Sequence, residues 1–407
     1  MKNGHERTRR LRLLLLPLIL TGWLGVVGFA HAAVPSAAQR VAERPFPSVF
    51  QAWNPIDMPA VFPLNTVEDR VQAAAKHDVL WEEPVSQLAL GVQLVLGAAW
   101  EGPHAGLASR FTSNSLAQAL ANRRQMLRLN PHMILLMEVR WRDAPGSFLP
   151  ADSPFWKHKD GQRIMGWDGG NEPYYLLDYE NPDFAANIAR QCQYAITSGV
   201  YDGVMFDWRG YLPIVRKVRA EVGTNGFIII NIHDSIELGR KYQDYINGAF
   251  MECFPDGQAT NSVHGTWEGL IAGLDYFERH FQKPRLNCVE VVGDRKDLRR
   301  MRAATTLTLT HSDASVLYAD PDDLPTPDHL HDWYPFWNQK IGRPTGNLIT
   351  RPDGAAQREF QSASVIFNPP GRSPITIAFD DVRQRASDGT KGKSFVVDAG
   401  DGDMFLR

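Results

Sequence analysis

Tyr201-Asp202-Gly203-Val204-Met205-Phe206-Asp207-Trp208-Arg209 carries a short apolar run, Val204-Met205-Phe206, that ends in a carboxylate and then in bulky side chains. A strand apolar on both faces is a strand covered on both faces, as in a parallel sheet flanked by helices. Ile228-Ile229-Ile230 repeats the pattern. Working outward from these two, β-like runs recur at Val49–Trp53, Val79–Glu82, Ile134–Arg140, Gly203–Asp207, Phe227–Ile232, Ala249–Cys253, Asn287–Val292 and Val316–Ala319. Apolar residues fall at helical spacing over Thr66–Lys76, Ser115–Leu129, Asp183–Thr197, Leu212–Val222, Glu237–Ile246, Thr266–Phe281, Asp297–Thr310 and His329–Gln339. Eight strands alternating with eight helices predict an α/β protein whose residues 45–342 form a (β/α)8 barrel. A doubly wound sheet would alternate too, but no G-x-G-x-x-G follows the first strand and no P-loop occurs.

After Gly342 the helical period stops. Phe360–Phe367, Pro374–Phe379, Lys393–Val397 and Asp403–Leu406 read as short strands between Asn-Pro-Pro-Gly and Asp-Gly-Thr turns, predicting a small antiparallel β domain over residues 343–407. At the other end, Arg7, Arg9, Arg10 and Arg12 precede an apolar run from Leu13 to Ala30, and Ala30-His31-Ala32 has the small-x-small form of a signal-peptidase site. An uncleaved membrane anchor is the competing reading, because the run is about long enough to cross a bilayer. Pro17 within the run and the polar, Pro-containing stretch after it favour a signal peptide over residues 1–33. The expected mature protein is exported, secreted or periplasmic, and leaves the membrane once cleaved. Five Lys/Arg and one Glu depart with the segment, taking the formal charge from −3 to −7.

The whole chain has 407 residues with 43 Lys+Arg against 46 Asp+Glu, a balance that lacks the concentrated basic face needed to displace counterions from nucleic acid. Charged residues at 22% and aromatics at 10% exclude a disordered or collagenous chain. Cys192, Cys253 and Cys288 form no C-x-x-C pair, and their odd count and scatter predict buried apolar cysteines rather than a disulfide frame. Two connections, Glu83–Asn114 and Trp141–Asn181, are long and rich in Gly, Pro and aromatics. Loops longer than about 15 residues are usually functional, and both follow strands, at the face where barrel active sites are built.

Asp207 ends the predicted fourth strand, and Glu252, in Ala249-Phe250-Met251-Glu252-Cys253-Phe254, ends the sixth. Cleaving a glycosidic bond takes two carboxyl groups, one as nucleophile or base and one as proton donor. The structural alternatives are a helix N-cap for Asp207 and a buried ion pair with Arg140 or Arg209 for Glu252. Their joint placement at strand ends favours catalysis.

These features resemble the glycosyl hydrolase-like family 15 group and, more distantly, the endo-α-1,4-polygalactosaminidase and α-galactosidase barrels. The residues that carry the resemblance are Asp78-Val79-Leu80-Trp81, Asn130-Pro131 before Met137-Glu138-Val139-Arg140, Tyr201–Asp207, Gly248–Phe254 and the closing Phe360–Phe367 strand. The resemblance implies Asp207 as nucleophile and Glu252 as acid/base in a retaining mechanism. Glu252 would have to be protonated before the first step, and flanking Met251, Cys253 and Phe254 are expected to favour this by desolvation.

Other positions are candidates for binding sugar. Glu138 and Arg140 share a side of their strand, either as an ion pair or as part of a sugar site. Asn231 and His233 follow the fifth strand, and Asp234-Ser235 is expected to cap the next helix. Trp100, Trp141, Trp167, Trp208 and Trp267 lie near strand ends or in the long loops, and two or three are expected to face substrate. Arg209 would hold a hydroxyl or an acidic substituent, or pair with Glu252. No H-E-x-x-H or G-x-S-x-G occurs, and His329-Leu330-His331 lies away from any strand end. The expected protein is a monomeric glycoside hydrolase acting on a polysaccharide or oligosaccharide, with no metal and no organic cofactor. The competing function is a non-catalytic barrel that binds an exopolysaccharide.

Overall fold

A computed structural model describes residues 35–53, 66–84, 95–167, 172–255, 265–320, 329 and 331–407. Residues 35–407 form one compact unit, and the expected signal peptide lies outside the described residues. Eight parallel strands run in sequential order: β1 (Phe50–Gln51), β2 (Val79–Glu82), β3 (Ile134–Glu138), β4 (Gly203–Phe206), β5 (Phe227–Asn231), β6 (Gly248–Cys253), β7 (Cys288–Val292) and β8 (Ser315–Ala319). A parallel bridge between Val49 and Val316 joins the last strand to the first, and the Ser48 and Ser315 hydroxyls hydrogen-bond beside it at 2.7 Å. The sheet is therefore a closed (β/α)8 barrel.

Helix α1 (Ala37–Glu43) precedes β1. Between successive strands run α2 (Val67–Ala74), α3 (Ser113–Leu129), α4 (Pro182–Thr197), α5 (Leu212–Val222), α6 (Ile236–Tyr242), α7 (Trp267–His280) and α8 (Leu298–His311). The helix expected over His329–Gln339 is not formed; a single 3-10 turn, Pro335–Asn338, takes its place. Pro335 has no amide to donate, and Tyr334 before it is held extended at φ −84°, ψ 135°. Phe336 and Trp337 instead plug the eighth position, where Trp337 Nε1 donates to Thr305 Oγ1 at 2.9 Å.

Alternation along the strands sorts the core into two layers. Phe50, Val79, Trp81, Ile134, Leu136, Met205, Ile229, Phe250, Cys288 and Leu317 fill the barrel interior. Leu80, Leu135, Met137, Val204, Phe206, Ile228, Ile230, Met251, Val289 and Val316 face the helices. Gly203 and Gly248 open β4 and β6 where a Cβ would sit 2.3 Å from the Phe227 carbonyl and 1.9 Å from that of Leu286, so only glycine fits. All three cysteines are free and buried.

Asp202 ties the N-terminal face together. It is buried, pairs with Arg40 of α1, accepts from Arg123 of α3 at 2.6 Å, and takes the Leu135 amide at 3.0 Å. Burial alone would raise its pKa, but the Arg123 and Arg40 guanidiniums outweigh that and hold the carboxyl below its usual range.

The tail is an antiparallel sheet of β9 (Ile349–Thr350), β10 (Ala356–Glu359), β11 (Ala363–Asn368), β12 (Ile375–Arg385), β13 (Lys391–Val397) and β14 (Asp401–Leu406), in the order β9-β10-β11-β14-β12-β13. It packs on α8 and joins the helix-side core through Phe360, Val365, Phe367 and Met404. Trp267 meets Phe367 with ring centroids 6.1 Å apart, and Arg302 pairs with Asp401 at 2.6 Å. Deleting residues 346–407 would uncover this apolar face, and the expected result is a protein that aggregates or melts earlier. A truncated protein that stays monodisperse in light scattering with an unchanged melting point would contradict the packing argument.

Candidate active site

Above the apolar floor of the barrel, the same inward alternation continues with polar residues. Two positions beyond Trp81, Leu136, Met205, Ile229, Phe250 and Cys288 stand Glu83, Glu138, Asp207, Asn231, Glu252 and Glu290, one for each strand from β2 to β7. They form a ring at the C-terminal ends of the strands, the face on which barrel enzymes build their sites. Glu83, Glu138, Asn231 and Glu290 are buried; within the ring, Asp207 and Glu252 are the two that retain partial exposure to solvent.

Asn231 brings those two together. Its Nδ2 donates to Asp207 Oδ1 at 2.9 Å and to Glu252 Oε2 at 2.7 Å. Backbone contacts hold both in place: Trp141 Nε1 donates to the Asp207 carbonyl at 2.9 Å, and His233 Nδ1 lies 2.6 Å from the Glu252 carbonyl. Asp207 caps no helix, since Tyr211 occupies the N-cap of α5. Burial raises the Asp207 pKa, opposed by Asn231, the Trp208 amide and the Arg140 charge.

Arg140 pairs with Glu83 at 2.8 Å and lies 3.5 Å from Glu138, so the expected ion-pair contact of Glu138 and Arg140 is present. Burial drives the Glu138 pKa up to about 8 against the attraction of Arg140, with the Glu83 and Asp207 charges adding to the rise. Glu138 also accepts from the Trp53 indole. His329 contacts both carboxylate oxygens of Glu290 at 2.9 and 3.0 Å and stacks on Trp53 with ring centroids 4.8 Å apart.

Backbone strain collects at the same mouth. Trp53, Trp208, Arg209, His233 and His329 all adopt positive φ, between 52° and 65°; among the described non-glycine residues, Asp160 is the other case. Such conformations cost of order 1–3 kcal/mol each and persist where the surroundings enforce them, commonly at functional sites.

Several expectations are corrected. Met251 and Cys253 face the helices, so they do not surround the Glu252 carboxyl. Arg209 is exposed, and its side chain makes no hydrogen bond or ion pair among the described residues. Ser235, not Asp234, caps α6. Trp208 is 45% exposed beside Asp207, with the Arg142 guanidinium 3.9 Å from its ring centroid. Trp100 packs on Phe111, Trp167 on Tyr174 and Trp267 on Phe367, all structural contacts. His329 was expected away from the site, yet it enters the barrel mouth. His331 is buried against His77, with the Nε2 atoms 3.0 Å apart. Glu83, Glu290, Trp53 and His329 were missed; counting every second residue beyond the inward apolar positions would have found the two glutamates. Among the described residues, no group of three or more His, Cys, Asp or Glu is placed to hold a metal ion.

The ring's raised carboxyls make stability pH-dependent. Burial also lifts the Glu82 pKa to about 7, although the Leu96 and Val95 amides and the Tyr201 hydroxyl donate to it. A carboxyl whose folded pKa exceeds its unfolded value keeps a proton that the unfolded chain has released. The stability from Glu82 and Glu138 is thus full below the ordinary 4.5 and is lost as pH rises through about 7 and about 8. Calorimetry should find a higher melting temperature near pH 5.5 than near pH 8; the reverse order would remove these two groups as the controlling ones.

No family model and no curated protein matches the chain. Solved structures do resemble it. An α-amylase from Malbranchea cinnamomea superposes with a TM-score of 0.55 at 12% identity, covering 91% of this chain and 97% of the other. The maltogenic α-amylase AmyB from Thermotoga neapolitana gives 0.52 at 10% identity over 88% of this chain and 99% of the other. A family 39 glycoside hydrolase from Bacteroides cellulosilyticus WH2 gives 0.53 at 9% identity over 88% and 80%. At such identities the likeness is one of fold, the barrel shared by these glycoside hydrolases.

Proposed function

We propose that the protein is an exported, retaining glycoside hydrolase that acts on a polysaccharide, with Asp207 as nucleophile and Glu252 as acid/base. The observation that supports this most is the single Asn231 amide donating to both carboxylates. The two accepting oxygens cannot lie further apart than the summed length of those hydrogen bonds. That limit is close to the roughly 5–5.5 Å of retaining pairs and short of the about 6.5–9.5 Å that inverting pairs leave for a water. The barrel shared with glycoside hydrolases, and the polysaccharide-type substrates implied by names such as amylase, support the substrate class.

In the first step Asp207 attacks the anomeric carbon while Glu252 gives its proton to the departing oxygen, leaving a glycosyl ester on Asp207. In the second, Glu252 takes a proton from water, which displaces Asp207 and restores the starting configuration. Trp208, which follows Asp207 in the chain, offers an exposed ring on which a sugar can pack, and Arg142 stacked on it stiffens that platform. The Asn231 amide favours the charged Asp207 needed for attack.

A glycan library incubated with wild-type protein and Asp207→Asn tests the reading. The expected result is release of new reducing ends by the wild type alone, with the retained anomer appearing first in early NMR spectra. An inverted first product would overturn the retaining mechanism, and glycan binding without any hydrolysis would favour the non-catalytic barrel.

A further inference from the structure

A cleft of about 610 Å³ opens on the barrel face opposite the polar ring, where the tail joins the barrel. It is lined by Arg44 before β1, Lys283 and Arg285 before β7, and Arg343 from the junction, together with Glu278 and Asp313. Among the described residues, none of the four cations lies within ion-pair distance of a carboxylate. The two acids are engaged elsewhere: Glu278 accepts from Asn287 Nδ2 at 2.8 Å, and Asp313 pairs with Arg358 at 2.8 Å. Burial raises the Glu278 pKa, opposed by the Asn287 amide and by the Arg285 and Arg44 charges.

Two donors here lack acceptors. Arg44 is 2% exposed, and its Nη groups serve the Val41 and Asp313 carbonyls, but its Nε is buried without a hydrogen-bond partner. Arg285 donates from Nη2 to the Arg279 carbonyl at 3.1 Å, and its Nε is likewise buried without a partner. Buried N–H groups normally find an acceptor, and a guanidinium is best matched by an oxyanion.

We infer that this cleft binds the carboxylates of an acidic, uronic-acid-containing polysaccharide. The inference rests on the polysaccharide part of the proposed function. Inorganic phosphate shares the charge chemistry, but the volume is that of a site for a ligand of several rings, within the roughly 300–1,000 Å³ of small-molecule pockets. Placed opposite the polar ring, the cleft would tether a charged chain without occupying the catalytic mouth.

Calorimetric titration with oligogalacturonate, a neutral α-glucan oligosaccharide of equal length and inorganic phosphate tests this. The titrations use wild type, Asp207→Asn, the double variant Lys283→Gln/Arg343→Gln, and the charge-keeping Lys283→Arg/Arg343→Lys. Lys283 and Arg343 are exposed, so the variants should fold, with a matching melting point as the check. The expected result is oligogalacturonate binding alike in wild type and Asp207→Asn, about tenfold or more weaker in the Gln double variant, and restored by the charge-keeping pair. Equal affinity in the Gln variant, loss in Asp207→Asn, equal affinity for the neutral glucan, or phosphate bound as tightly as the oligosaccharide would each overturn the assignment. The readout is binding, so a failure of the hydrolase reading would show as absent hydrolysis and leave this result standing on its own.

Discussion

Asp207→Asn should fold normally and lose hydrolysis by on the order of 10⁴-fold or more, the scale of removing a covalent nucleophile. The amide keeps the volume of the carboxyl and an oxygen for Asn231 Nδ2, which donates there at 2.9 Å, so geometry is preserved while attack on the anomeric carbon is not. Glu252→Gln should behave differently. Its loss removes proton donation to the departing oxygen, so polysaccharide cleavage falls steeply while an aryl glycoside with an acidic leaving group is still opened. The glycosyl ester then accumulates, because water has lost its base. A burst followed by slow turnover, read at the chromophore, is the expected trace. Equal losses on both substrate types would deny Glu252 the acid role.

The second large effect is structural. Asp202→Ala removes the carboxylate shared by Arg40 and Arg123 and the acceptor of the Leu135 amide, leaving two guanidiniums at the barrel floor without their counter-charge. Breaking a buried ion pair from one side costs about 3–5 kcal/mol, because the desolvated partner remains. Denaturant unfolding should show a loss of that size, and replacing all three by apolar residues of similar volume should cost far less. A change below about 1 kcal/mol for Asp202→Ala would mean that the arginines find solvent.

The barrel was legible because parallel strands covered on both faces cannot hide: Val204-Met205-Phe206 and Ile228-Ile229-Ile230 have no polar face to offer. Asp207 and Glu252 were legible because each closes such a run. What escaped depended on other information. Glu83 and Glu290 sit in sequence among apolar or acidic neighbours, and their inward direction follows from register rather than composition. Trp53 and His329 meet across a long sequence interval, through backbone at positive φ that local pattern does not announce. The eighth helix failed because Tyr334-Pro335 overrode a helical spacing of aromatics.

The seam between β1 and β8 sets an order of events during biosynthesis. Ser48 and Ser315, whose hydroxyls meet there, are 267 positions apart in the chain. At about 5–20 residues per second a ribosome needs on the order of tens of seconds to travel that interval. Through all of it β1 waits with an open edge, a template on which any other nascent strand can add. The polar ring is drawn from β2 to β7, but Trp53 and His329, which contact its Glu138 and Glu290, come from beyond β1 and β8, so its full set of contacts waits for the seam. The growing chain's period of greatest exposure to misassociation ends when β8 emerges and the hoop snaps shut.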